Sequence, residues 1–340
     1  MGQGTTPNVA MPRPGLALTA GLLAALIVLA FGAVLVGPYG LSAGQVVFAL
    51  LGQGDPQAQI VVWHIRLPRV GAALLVGAAL AAAGATYQAL FRNPLVSPDI
   101  LGVSAGAGLG AVAGIFLSLP VAAIQGAAFV GGMAAVGIVM LVGAMVRNVD
   151  QTLTLVLLGV VVGALAGAAT SLLKVMADPY DQLPAITFWL LGSLAAITTR
   201  DILPALPMVL MGLLPLALLR WRINVLSLGD EEARALGVEA GRTRLVVIAA
   251  ATLITASVTA LAGVVGWVGL VIPHIARMIV GPGFDRLLPT SVLIGAGYLL
   301  LVDTLARTIA AAEVPLGVLT AVIGAPFFVW LLARGRRGWS

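Results

Sequence analysis

Few side chains in this 340-residue sequence are of a kind that carries out chemistry. The two histidines, His64 and His274, are far apart and have no cysteine or carboxylate cluster beside them, so no metal site of ordinary ligand spacing is predicted. The single lysine, Lys174, follows Leu173 and not the glycine of a phosphate-binding loop. An enzyme, and an ATPase in particular, is therefore disfavoured, and any ATP-driven activity requires a partner.

Arginines and carboxylates form two small patterns. Arg66 and Arg69 are three positions apart in the segment RLPR and have no acidic residue near them in sequence. Guanidinium groups of this kind suit carboxylates on another protein. Asp303 precedes Arg307 by four positions, which places both on one helical face and predicts an internal ion pair.

A polar stretch, residues 220–244, interrupts an otherwise apolar sequence. Its middle, from Asp230 to Leu236, predicts a short helix, because three acidic residues begin it and Gly237 follows it. A short capped helix that projects from a membrane is typical of a docking element. The alternative is an ordinary solvated loop.

A second interruption, ALFRNPLVSPDILG at residues 89–102, contains an arginine, an asparagine, two prolines and an aspartate. Proline ends helices, so this stretch by itself predicts a turn between two of them.

The elements that must hold these residues are set by composition. The chain is 60% hydrophobic and 9% charged, with a mean hydropathy of +1.10 and no cysteine. A bilayer core needs about 20 apolar residues per helix, whereas a barrel would show short alternating strands. The sequence predicts an all-α integral membrane protein forming a single domain over 1–340, with a half-helix at 186–197. Ten spans are predicted, near 16–36, 67–91, 98–118, 120–146, 152–175, 202–219, 244–263, 266–281, 287–307 and 316–333.

Orientation follows from the basic residues. If both termini are cytoplasmic, thirteen of the 18 basic residues lie on the inner side, as the positive-inside rule requires. The net charge of +5 then needs no nucleic-acid partner. Two rows of glycines spaced by four also predict close helix packing: Gly102, Gly106, Gly110 and Gly114, and then Gly159, Gly163 and Gly167.

Several of these segments together resemble the FecCD family, the permease subunits of ABC importers for iron–siderophores, haem and vitamin B12. The resemblance covers nearly the whole chain from about residue 60 and rests on RLPR with LLVGAALAAAG and QALFRNPLVSPDILGVSAGAGLG, and on LGDEEARALG, GLVIPHIARMIVG and VPLGVLTAVIGAPFFVWLL. It implies the fold of the vitamin B12 permease, a type II importer with two ten-helix permeases, two cytoplasmic ATPases and an external substrate-binding protein.

The resemblance also implies roles for particular residues. Those facing the ATPase are Gly229, Asp230, Glu231, Glu232, Ala233, Arg234, Leu236 and Gly237. Arg66, Arg69 and Arg307 would dock the binding protein, which moves Arg307 away from a purely structural role. Asn93, Leu95, Thr152 and Leu153 would form the inner gate, although Leu153 replaces a small polar residue of the vitamin B12 permease and puts that part of the gate in doubt.

The resulting hypothesis is the permease of an importer for a metal chelate in a bacterial inner membrane. A ferric siderophore is the first expectation, with haem, cobalamin and an oxyanion as alternatives. The chain would pair with a second copy and bind no cofactor, while ATP and Mg stay on the ATPase. A secondary transporter competes, but it needs acidic residues at mid-membrane, and the only acids near spans, Asp99 and Asp303, lie near ends or beside an arginine. A structural scaffold would not need the capped helix.

Overall fold

The computed structural model describes residues 16–146 and 151–334, where all regular structure is helical. A π-helical segment, Val61–Arg66, joins α3 to α4, and a 3₁₀ turn, Pro98–Leu101, precedes α5. The α-helices of these ranges are α1 Leu16–Leu35, α2 Ala43–Leu50, α3 Pro56–Ile60, α4 Leu67–Leu90, α5 Val103–Phe116, α6 Val121–Met145, α7 Gln151–Met176, α8 Gln182–Leu191, α9 Thr199–Leu218, α10 Arg220–Leu226, α11 Asp230–Ala235, α12 Ala240–Ala262, α13 Val268–Val280, α14 Phe284–Ala306 and α15 Leu316–Arg334.

Every predicted span coincides with a helix, but the helices differ in length. Within the described ranges, seven helices are long and apolar enough to cross a membrane. Six of them are α1, α6, α7, α9, α12 and α14, and the seventh is the continuous helical run Pro56–Leu90, which includes α4. The other three predicted spans correspond to the shorter apolar helices α5, α13 and α15. The chain is therefore an all-α, multi-pass membrane protein.

Two predicted boundaries are wrong for a local reason. The helix predicted from residue 98 begins at Val103, because Pro98–Leu101 forms the 3₁₀ turn and Gly102 takes a left-handed φ of 81°. The predicted half-helix 186–197 is α8, which begins earlier and ends at Leu191, where Gly192 has a φ of 73°. Glycine accepts such angles without the steric cost of a side chain.

The centre of the bundle is formed by α4 and α12. In the most apolar stretch of each of these two helices, 78% of the residues are buried, compared with 11% in α1 and 22% in α7 and in α9. Close backbone approach makes this possible: a side chain at Gly77 of α4 would overlap Gly295 of α14, and one at Gly84 would overlap Gly269 of α13. Small residues let helices gain van der Waals contact where lipid offers no hydrophobic driving force.

The first predicted glycine row is confirmed as a packing surface and the second only in part. Gly106 and Gly110 of α5 lie against the backbone of α6. Gly159 of α7 lies against Ile100 of the 3₁₀ turn, whereas nothing lies within 4 Å of the position a side chain at Gly167 would take. The end of this row at Gly167 therefore faces away from the other described helices.

Candidate functional site

The predicted docking helix is present as α11. It runs from Asp230 to Ala235, with acidic residues in its first turn and Gly237 at a φ of 76° beyond its end. Ala233 is fully buried, so α11 packs on the bundle by one face. Its outer face carries the exposed side chains of Glu231 and Glu232, and the apolar side chains of Leu228 and Leu236 beside them are also exposed.

A buried arginine connects α11 to the membrane helices. Arg244 of α12 donates from Nη2 to Asp230 Oδ1 at 2.8 Å and from Nη1 to Gln151 Oε1 at 2.6 Å. Gln151 is the first residue of α7 and directly precedes Thr152 and Leu153 of the predicted gate. This link could not be predicted from the sequence, because Arg244 and Gln151 are 93 positions apart.

The turn at residues 89–102 also lies beside the docking helix. A Cβ atom placed at Gly229 would be 3.7 Å from Nη1 of Arg92. In the same turn, the Oδ1 atom of Asn93 accepts a hydrogen bond from the Leu95 amide at 2.9 Å, which fixes the turn locally. Both predicted gate segments thus lie near α11: α7 is linked to it through Arg244, and Arg92 of the turn lies beside Gly229.

The four predicted gate residues have different surroundings. Asn93 and Leu95 are exposed, and Leu95 borders a small apolar cleft against His274 of α13 and Phe327 of α15. Leu153 is 52% exposed and Thr152 is half-buried. The Gly159 contact with the 3₁₀ turn joins α7 to the segment that carries Asn93 and Leu95. The role of these residues as a gate stays a prediction.

At the opposite end of the bundle, two arginines bind the C-terminal end of α1. Arg66 donates hydrogen bonds to the carbonyl oxygens of Val34 and Leu35, and Arg307 donates to those of Ala33 and Val36. The last carbonyls of a helix have no partner within it and carry partial negative charge. Arg66 and Arg307 therefore provide the hydrogen-bond donors that the C-terminal end of α1 lacks within its own helix.

Arg69 has the acidic partners that its sequence neighbourhood lacks. Its Nε atom lies 2.9 Å from Asp303 Oδ1, and its Nη1 and Nη2 atoms donate to the two carboxylate oxygens of Glu313 at 2.7 and 2.9 Å. The predicted Asp303–Arg307 pair is also present, at 3.7 Å. Burial lowers the pKa of the Arg307 guanidinium and Asp303 opposes that shift.

These contacts correct the interpretation of the three arginines. Arg66, Arg69 and Arg307 are 3%, 6% and 6% exposed, so their guanidinium groups are directed into the chain. Arg69 has no acidic residue near it in the sequence, and its acidic partners Asp303 and Glu313 come from a distant part of the chain. Direct docking of a binding protein by these arginines stays a prediction, and Glu313 is the more accessible member of the group.

The sequence matches the FecCD transport family over residues 22–334. It is 39% identical over 323 residues to the molybdate import system permease protein MolB of Haemophilus influenzae, covering 94% of this chain and 96% of that one. It is 44% identical over 281 residues to the cobalamin import system permease protein BtuC of Halobacterium salinarum, covering 82% and 75%. The solved structure of an ABC transporter proposed to be of the metal-chelate type, in an inward-facing conformation, is similar at a TM-score of 0.86 and 38% identity, covering 94% of this chain and 99% of that one.

A multi-pass helical bundle with a short capped helix packed at one end is compatible with a transport subunit. The chain belongs to the FecCD transport family, which confirms the resemblance seen in its motifs. It is a permease subunit of an ABC importer and not an enzyme, and ATP hydrolysis belongs to a separate partner.

Proposed function

We propose that this permease carries a metal chelate, with a ferric siderophore as the first candidate, from an extracytoplasmic binding protein into the cytoplasm of a bacterium. The observation that supports a chelate is the similarity of almost the whole chain to a metal-chelate type transporter. Oxyanion import is the second candidate, favoured by the 39% identity to a molybdate permease over 94% of the chain.

The proposed complex contains two copies of this chain, two ATPases and one binding protein. The ATPases bind ATP and Mg, and this chain binds neither. Each ATPase contacts the surface formed by α11, with Glu231, Glu232, Arg234 and Leu236 at its exposed face. Both chain termini and α11 lie in the cytoplasm, and the Arg69–Glu313 end of the bundle faces the binding protein.

Coupling runs through Arg244 in this proposal. When the ATPase moves α11, the buried Arg244 transmits the shift to Gln151 at the start of α7, next to Thr152 and Leu153. Arg92, whose guanidinium lies beside Gly229, places the turn that carries Asn93 next to the same element. Side chains with two hydrogen-bonded partners move with both of them, so α11 and the inner ends of α4 and α7 respond together.

The substrate class is tested with the cognate binding protein and the reconstituted importer. The binding protein is titrated with a ferric hydroxamate siderophore, haem, cyanocobalamin and molybdate, and ATP-dependent uptake of each is measured in proteoliposomes. We expect tight binding and uptake of the ferric siderophore alone. Uptake of molybdate without the chelate would establish the second candidate instead.

A further inference from the structure

A large open-sided crevice lies between α6, α9 and α12, away from the residues assigned to the gate or to docking. Its volume is about 630 Å³, within the usual range of about 300–1,000 Å³ for small-molecule sites. Apolar side chains form most of its wall, among them Phe129 of α6, Met208 of α9 and Leu261 of α12. Polar groups occur mainly towards one end, where α6 and α9 begin.

The depth of the crevice matches one leaflet of a bilayer. It extends from Val121 and Arg200, at the starts of α6 and α9, to Phe129 and Met208. Eight helical residues rise by roughly 12 Å, and half of the hydrocarbon core is about 15 Å thick. The exposed side chains next to the lining positions are apolar, with Val130 on α6 and Leu210 on α9. An apolar opening of this kind suits lipid tails.

The rim carries a guanidinium group that is available to an anion. Arg200 is exposed, and among the described residues it has no hydrogen-bond or ion-pair partner. The adjacent carboxylate is already occupied, because Asp201 accepts hydrogen bonds from Thr198 and from Gln125. The guanidinium is therefore free to bind a phosphate, which its planar fork of donors fits well.

We propose that the crevice is a binding site for one phospholipid, with an acyl chain along Phe129, Met208 and Leu261 and the phosphate on Arg200. A second cavity of about 280 Å³ shares Gln125, Asp201 and Leu261 with the first and continues to Trp189 in the last turn of α8. The half-helix α8 therefore borders the rim of the crevice.

The headgroup contact is tested by lipid retention. The chain is purified in detergent, supplied with palmitoyl-oleoyl phosphatidylglycerol, stripped by washing, and examined by native mass spectrometry. Arg200→Gln is expected to retain about tenfold less lipid, the effect of losing one charged hydrogen bond. The matched control is Lys174→Gln, which removes a cation at the same end of the bundle but outside the crevice and should retain lipid like the unaltered chain.

The acyl-chain contact is tested separately, because the chain has no cysteine and single cysteines label cleanly. Met208 lines the crevice and Leu210 lies on the same helix outside it. The two variants are therefore Met208→Cys and, as the control, Leu210→Cys. Each is labelled with bimane in nanodiscs of brominated phosphatidylglycerol and then exchanged into unbrominated lipid. Quenching is expected to persist at Met208→Cys and to disappear rapidly at Leu210→Cys.

Either of two results overturns the proposal: equal lipid retention by Arg200→Gln and Lys174→Gln, or equal exchange at the two cysteines. A disulfide formed between copies at Met208→Cys also overturns it, because a second copy would then cover the crevice. Neither measurement needs an ATPase, a binding protein or a substrate. Failure here therefore leaves the proposed import function standing, and failure of uptake leaves the lipid site standing.

Discussion

Asp303 has no exposed surface and lies between two arginines, Arg69 and Arg307. Replacing it by Asn keeps the size of the side chain but removes a negative charge that compensates the two buried guanidinium groups. Removing one partner of a buried ion pair costs about 3–5 kcal/mol. We expect Asp303→Asn to lower the thermal unfolding temperature of the purified chain markedly, as measured by static light scattering in detergent.

The matched control for this substitution is Glu239→Gln. Glu239 pairs with Arg242 at 3.0 Å, but both side chains are more than half exposed, and such surface pairs contribute about 0–1 kcal/mol. Its unfolding temperature should hardly change. Equal behaviour of the two variants would show that the buried cluster does not stabilise the fold.

The arginines also show where prediction from sequence ends. The pairing of Asp303 with Arg307 follows from a four-residue spacing on one helix, which local geometry dictates. The pairing of Arg69 with Asp303 and Glu313 depends on how α4 packs against α14, and no spacing in the sequence encodes that. Glu313 could not be singled out from the sequence, since it lies in the short segment between two predicted spans and has no basic residue at helical spacing.

Among the elements, α11 was predictable because its signals are local: acidic residues at its start, Gly237 at its end and a polar surrounding. The long spans were predictable from hydropathy for the same reason. The start of α5 was not, because a proline within an apolar run fits either a kink or the first turn of a helix, and packing of Ile100 on Gly159 decides the matter. The link from α11 to α7 through Arg244 needed the folded structure.

That link gives a prediction about coupling. Arg244→Gln removes the hydrogen bonds to Asp230 and Gln151 but leaves the exposed face of α11 intact. Hydrogen bonds to charged groups contribute about 1.5–3 kcal/mol, so the linked arrangement should become roughly 10- to 150-fold less populated. We expect the ATPase still to co-purify while substrate imported per ATP hydrolysed falls by a similar factor in proteoliposomes.

Two comparison variants separate coupling from docking. Arg242→Gln alters an exposed ion pair on the same helix, two positions away, and should leave transport unchanged. Glu232→Lys combined with Arg234→Glu reverses charge on the exposed face of α11 and should prevent the ATPase from co-purifying. Unchanged import per ATP in Arg244→Gln would exclude the proposed route from α11 to α7.

Over the whole molecule, the charge distribution predicts one orientation in the membrane. The loop before α9 and the segment after it lie on opposite sides of a single span, Thr199–Leu218. Tyr180 is 92% exposed on the side of Lys174 and Arg200, and Leu228 is 61% exposed on the side of Arg220 and the docking helix. Most basic residues lie on the same side of the membrane as Leu228, and the positive-inside rule assigns that side to the cytoplasm.

Cysteines at these two positions test the orientation in the chain's otherwise cysteine-free background. A membrane-impermeant maleimide applied to cells whose outer membrane is permeabilised should label Tyr180→Cys and not Leu228→Cys. In inverted membrane vesicles the pattern should reverse, because the cytoplasmic side then faces the reagent. The opposite pattern in both preparations would place α11 outside the cell, where no ATPase could reach it, and the coupling scheme through Arg244 would fail together with the orientation.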